Sequence, residues 1–158
     1  MFDTKIDISK DDRKKVVKIL NQTLANISDL YSQTKQAHWN MHGPVFYSFH
    51  LLFDELASSV EEHIDTTAER VTTLGGVAQG TVRQAASASI LKEFPTEKDG
   101  DLDYVKALIE RYGQAGNAAR KGIDDCNKFG DADSADLLTA VSRDLDKALW
   151  FLEAHTRK

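Results

Sequence analysis

Apolar side chains recur every three, four or seven residues through most of this 158-residue chain, and only two prolines, Pro44 and Pro95, interrupt it. That spacing is the repeat of an α-helix, and proline is the residue that most effectively stops one, so the pattern predicts an all-α fold without strands. The first helix is expected to begin near Ser9, where Ser9 and Asp12 have capping-box spacing, and to carry the stripe Val16, Leu20, Leu24, Ile27 and Tyr31. A second runs from Pro44, placed in its first turn, to about Leu74 before Gly75-Gly76, with Phe49, Phe53, Leu56, Val60, Ile64, Val71 and Leu74 as its core face. A third, from about Leu102 to Phe129, shows Leu102, Val105, Ile109, Tyr112, Ala119, Ile123 and Cys126 and is closed by Gly130. The fourth, from about Ser134 to His155, carries Leu138, Val141, Leu145, Leu149 and Leu152, with Asp133 and Asp136 at capping spacing.

The connections say how four such helices are wired, because a short loop forces antiparallel neighbours and a long one permits a crossover. Gly43-Pro44 and Gly130 to Asp133 are short, whereas Gly75 to Gly100 is long and is expected to hold a short helix around Gln84 to Leu91. The expectation is one domain over residues 1–158, a four-helix bundle with one crossover and a short tail at residues 1–9. No apolar run approaches the ~20 residues of a membrane span, and Met1 to Lys15 is charged throughout, which points to a cytoplasmic protein without membrane partners. The one cysteine, Cys126, cannot build a disulfide framework or a thiolate metal cluster and is read as core.

Polar residues break the pattern at informative places. His38 lies seven residues beyond Tyr31, two helical turns that return it to nearly the same inward face, where an imidazole needs a partner. On the second helix His50, Asp54, Glu61, Asp65 and Glu69 fall within about 100° of arc beside the core stripe. Carboxylates at helical spacing ordinarily mark a solvated face. Here, however, His50 and Asp54 are four residues apart, as are Asp65 and Glu69, so each pair can converge on one ion. Asp54 and Asp65 cannot, since eleven residues separate them by roughly 16 Å along the axis while ligands lie only about 2 Å from a first-row metal. Each chain therefore holds two half-sites. The pairs 50/69 and 54/65 share one midpoint, between Ser59 and Val60, so a twofold axis there sets Asp54 against Asp65 of the partner subunit and His50 against Glu69 of the partner subunit. Small residues near the crossing, Ala57, Ser58 and Ser59, permit close approach. Imidazoles with carboxylates and no thiolate suit iron, manganese or zinc, and ligand type alone does not choose among them.

The stretch Lys35-Gln-Ala-His-Trp-Asn40, followed by His50, Asp54 and Asp65-Thr-Thr-Ala-Glu-Arg70, closely resembles the Dps family, the mini-ferritins known as DNA-binding proteins from starved cells. Leu74-Gly-Gly-Val-Ala78 and Ser142-Arg-Asp-Leu-Asp-Lys-Ala-Leu-Trp-Phe151 extend the resemblance over nearly the whole chain. It implies a ferritin-like four-helix bundle, although the Glu-x-x-His usual in di-iron bundles is absent from this sequence. It further implies that His38, His50 and Asp54 are ferroxidase ligands from one subunit and Asp65 with Glu69 those from its twofold neighbour. The implied assembly is a homododecamer that oxidises ferrous iron, preferentially with hydrogen peroxide, and stores ferric mineral, which protects DNA from oxidative damage. Trp39 resembles the family's tryptophan beside the metal site, and Asp131, Asp133 and Asp136 resemble the acids lining its iron-access pores. His42 and His63 match no ligand.

Many family members also bind DNA through a lysine-rich tail, and the alternative function is a DNA-compacting structural protein with secondary metal binding. Residues 1–15 hold Lys5, Lys10, Arg13, Lys14 and Lys15 but also Asp3, Asp7, Asp11 and Asp12, and the C-terminal end adds only Arg157 and Lys158. With a formal net charge of -5, this predicts weak, salt-sensitive phosphate contacts at most.

Overall fold

The computed structural model describes residues 1–96 and 100–157; Lys158 and positions 97–99 of the expected crossover lie outside the described residues. Five helices form in the order α1 (Lys10–Asn40), α2 (Phe46–Thr73), α3 (Val82–Ala88), α4 (Asp101–Lys128) and α5 (Ala132–Ala154), and no strand forms among the described residues. None of these helices is long and apolar enough to cross a membrane.

Local chemistry sets the boundaries. The Ser9 side chain accepts from the Asp12 N–H at 3.1 Å and its hydroxyl donates to Asp12 Oδ2 at 2.7 Å, which satisfies an orphan donor at the start of α1. Pro44, expected in the first turn of α2, lies instead in the turn before it, and the helix starts at Phe46 behind an N-cap residue, Val45, that has no side chain able to cap. At α5 the cap is Asp131 rather than the expected Asp133: its carboxylate accepts from Ser134 N at 3.0 Å and from Ser134 Oγ at 2.6 Å. The short helix occupies Val82–Ala88, slightly earlier than its expected span, because Thr81 and Gln84 form a reciprocal capping box.

α1 packs on α2 and α4, α5 packs on α4 and α2, and α3 lies against α1. Most of the expected stripes are buried, and they form two clusters along the bundle. One is built around Leu30, Phe53, Leu108, Tyr112, Leu145 and Leu152, the other around Val16, Leu20, Val71, Leu74, Cys126 and Leu138. Each fully buried leucine contributes about 1.5–3 kcal/mol relative to exposure. Leu102 departs from expectation: it is 43% exposed at the start of α4, and Leu108 takes the interior position.

Side-chain amides of α1 hold the crossover. Asn21 pairs with Val77 O and Gln79 N, Gln22 donates to Ala88 O, Asn26 accepts from Ile90 N, and Gln33 donates to Lys92 O. The connection thus runs along α1, with five of its backbone polar groups satisfied by these side chains. The N-terminal segment is docked as well. Phe2 N donates to Gly75 O at 2.7 Å, Arg13 is buried and donates to Leu74 O at 2.8 Å and Ile8 O at 3.2 Å, and Ile6 and Ile8 pack on the second cluster. Gly75 has φ +82°, and a Cβ there would meet Phe2 O at 2.5 Å, so only glycine receives the segment.

Candidate metal centre

His38 lies in the last turn of α1 and His50 in the opening turns of α2, so the short turn between these helices brings the two rings face to face. Their centroids are 3.7 Å apart with 20° between the planes. His38 Nδ1–H donates to the backbone carbonyl of His50 at 2.8 Å, and His50 Nδ1–H donates to the carbonyl of His38 at 3.0 Å. A carbonyl can only accept, so both Nδ1 atoms carry a proton, and the neutral tautomer compatible with these bonds has its lone pair on Nε2, the arrangement a metal requires. His38 is accordingly half-buried at the end of the bundle rather than sunk in its core, and the partner it needed is the backbone of α2.

Asp54 lies one turn after His50, with its side chain 53% exposed. Lys35 Nζ donates to Asp54 Oδ1 at 2.6 Å, and this hydrogen bond holds the Asp54 carboxyl below the usual carboxylate range. The same ammonium lies 6.0 Å from the centroid of the Trp39 ring, which is 66% exposed. Phe46 sets its ring 5.0 Å from that of His50. Lys35 is the neighbour of the site that sequence reasoning missed. The signal was present: reflection about Pro44 carries position 38 onto 50 and position 35 to within one residue of Asp54.

Asp65 and Glu69 form a separate group, exposed and one turn apart near the other end of α2. Arg70, adjacent to Glu69, is clamped: its Nε donates to Ser134 Oγ at 2.9 Å and its NH2 to Asp131 Oδ1 at 2.6 Å. Asp131, only 1% exposed, is thereby committed to the α5 cap and to Arg70 rather than standing free, whereas Asp133 and Asp136 are exposed. The structure therefore brings His38 and His50 into contact, sets Asp54 one turn beyond His50 in an ion pair with Lys35, and leaves Asp65 and Glu69 near the other end of α2. Among the described residues no three His, Cys, Asp or Glu side chains of a single chain converge into a metal-holding group. His42 is exposed, and His63 Nε2 pairs with Asp144 Oδ2 at 2.9 Å.

The ferritin-like domain family matches residues 17–158. A DNA protection during starvation protein of Agrobacterium fabrum is 48% identical over 155 residues, which span 98% of this chain and 96% of the relative. The chain belongs to the Dps family of ferritin-like proteins. Solved Dps structures agree. DpsC from Streptomyces coelicolor superposes with a TM-score of 0.95 at 31% identity, covering 99% of this chain and 92% of that one. Mycobacterium smegmatis Dps gives 0.94 at 30% identity, covering 100% and 96%. The shared Dps fold thus includes both the α1–α2 hairpin and the far end of α2.

Proposed function

We propose that this chain is a ferroxidase and iron-storage protein, one ferritin-like unit of a cytoplasmic homododecamer whose ligands His38, His50 and Asp54 are completed by Asp65 and Glu69 of the partner subunit. The observation that carries this reading is the pair of reciprocal Nδ1–H bonds, which leave Nε2 of both stacked rings as the position for a metal, with Asp54 one turn beyond His50 on α2. Neutral imidazoles bind an incoming ferrous ion without competing protons, and carboxylates favour the ferric product because they match its higher charge. The substrates are ferrous iron and hydrogen peroxide. Two ferrous ions give one electron each, the O–O bond of one peroxide breaks, and two protons complete two water molecules. Ferric ions then enter mineral within the shell. The twofold arrangement needs no movement of either half-site within a chain, since the midpoint between Ser59 and Val60 relates them.

DNA protection follows from removing both reactants that generate hydroxyl radicals. A lysine-rich arm gains little support: Lys10 pairs with Asp3 at 3.0 Å, Lys14 with Asp11 at 3.0 Å and Lys15 with Asp12 at 2.8 Å, on a segment that packs against the body. The test is peroxide-dependent loss of ferrous iron in Asp65→Ala. The variant is expected to assemble and to lose rapid oxidation; assembly with the wild-type rate would overturn the assignment.

A further inference from the structure

Lys35 is not among the proposed ligands, yet its ammonium is paired directly with one of them. Its side chain is 19% exposed and its Nζ meets Asp54 Oδ1 at 2.6 Å, so the carboxylate that a metal would use already has a cation on one of its oxygens. A second berth lies close by, because Lys35 and Trp39 are one turn apart on α1 and the Nζ is 6.0 Å from the indole centroid, the outer limit of a cation–π contact. We propose that Lys35 is the internal counter-cation of the metal-free site: it holds the Asp54 carboxylate beside the stacked histidines and yields to an incoming divalent ion by moving onto the Trp39 ring. This rests on His38, His50 and Asp54 being metal ligands.

The arrangement has two effects. A lone carboxylate at the surface samples many rotamers, and the lysine keeps this one near the imidazoles. A monovalent ammonium bound in competition weakens every dication by the same factor, so Lys35 acts as a threshold on loading rather than as a ligand. It is a positioning residue.

Zinc is a suitable probe because it binds imidazole and carboxylate without redox chemistry. Calorimetric titration of assembled, metal-free protein is expected to show Zn2+ binding about fivefold tighter in Lys35→Met than in the wild type, the scale of one displaced exposed ion pair. Lys35→Gln serves as the second uncharged variant should Lys35→Met assemble poorly. Lys35→Arg, able to grip a carboxylate with two N–H groups, is expected to bind Zn2+ no more tightly than the wild type, which separates displacement of charge from general loosening. In a Trp150→Phe background, where emission comes from Trp39 alone, zinc is expected to change the emission far more with Lys35 present than with methionine there. Equal zinc affinity in the wild type and the uncharged variants, or an equal emission change with and without Lys35, overturns the proposal. Asp54→Ala separates the two readings: wild-type zinc affinity in that variant removes the site assignment itself, whereas loss of binding there with no effect at Lys35 removes only the counter-cation.

Discussion

A site divided between two chains can be rebuilt from two broken ones, and the geometry fixes how much is recovered. Consider one variant with His50→Ala and Asp54→Ala, and a second with Asp65→Ala and Glu69→Ala. The eleven-residue step along α2 from Asp54 to Asp65 spans roughly 16 Å, and ligand oxygens must come within about 2 Å of the ion, so no side-chain movement lets one chain close its own site. Each variant assembled alone then has no complete site. In protein co-expressed from both genes at equal level, half of the twofold pairs contain one chain of each kind. Such a pair has one site formed from two intact halves and one formed from two damaged halves, so about a quarter of the wild-type sites return. The assay is the initial rate of peroxide-dependent ferrous oxidation per subunit, checked against zinc stoichiometry on the same samples. A mixture no more active than its components would mean that both halves belong to one chain, and the argument from helical rise would be refuted. Near-complete recovery would equally refute it.

Further predictions concern the scaffold and its charges. Asp131→Ala removes the α5 cap and the carboxylate held by Arg70, and is expected to cost about 3 kcal/mol in chemical denaturation, with Asp131→Asn costing less because it can still accept from Ser134 N; a loss below 1 kcal/mol would show that the buried carboxylate carries little. Burial pushes the Cys126 thiol from 9.0 up to about 12. Between those values the unfolded chain has released a proton that the native chain keeps, so this group lowers stability as pH rises above 9.0, and thiol reagents should label Cys126 only as fast as the protein opens. Labelling that is immediate at neutral pH would contradict its burial. In a mobility-shift assay at low salt, where phosphate contacts are strongest, the assembled protein is expected to leave DNA unretarded; a shift that fades with added salt would restore the basic segment as a DNA contact.

Helix placement was legible because burial and period coincide: Val16, Leu20, Phe53, Val60, Leu138 and Leu145 all lie where a 3.6-residue repeat puts them. The ends were less so. Asp131 and Asp133 both sit at capping distance from a helical run, and what decides between them is Arg70, sixty-one residues from Asp131, which no local pattern reveals. Pro44 suits either a first turn or the turn before it, and the close approach of His38 to His50 selects the latter. At the site, the division into two groups followed from helical rise alone, but the ring-on-ring contact, the Lys35 ion pair and the docking of Phe2 on Gly75 depend on the register of two helices, a tertiary quantity. Gly75 itself was read as a helix stop, and its second duty, making room for the N-terminal backbone, appears only when that backbone is placed.

The mutual hold of His38 and His50 has a thermodynamic consequence. Each imidazole is fixed by the main chain of the residue that carries the other, so neither ring has rotamer freedom left to surrender when an ion arrives, a loss that otherwise costs about 0.5–1.5 kcal/mol per side chain. The stacked faces also couple the two positions. Replacing one ring removes the stacking face of the other while the other's own bond to the main chain survives, so substitutions at positions 38 and 50 should be non-additive by the shared stacking, the second costing less than the first. The two histidines are in effect a single part, formed whenever the α1–α2 hairpin closes and lost whenever it opens.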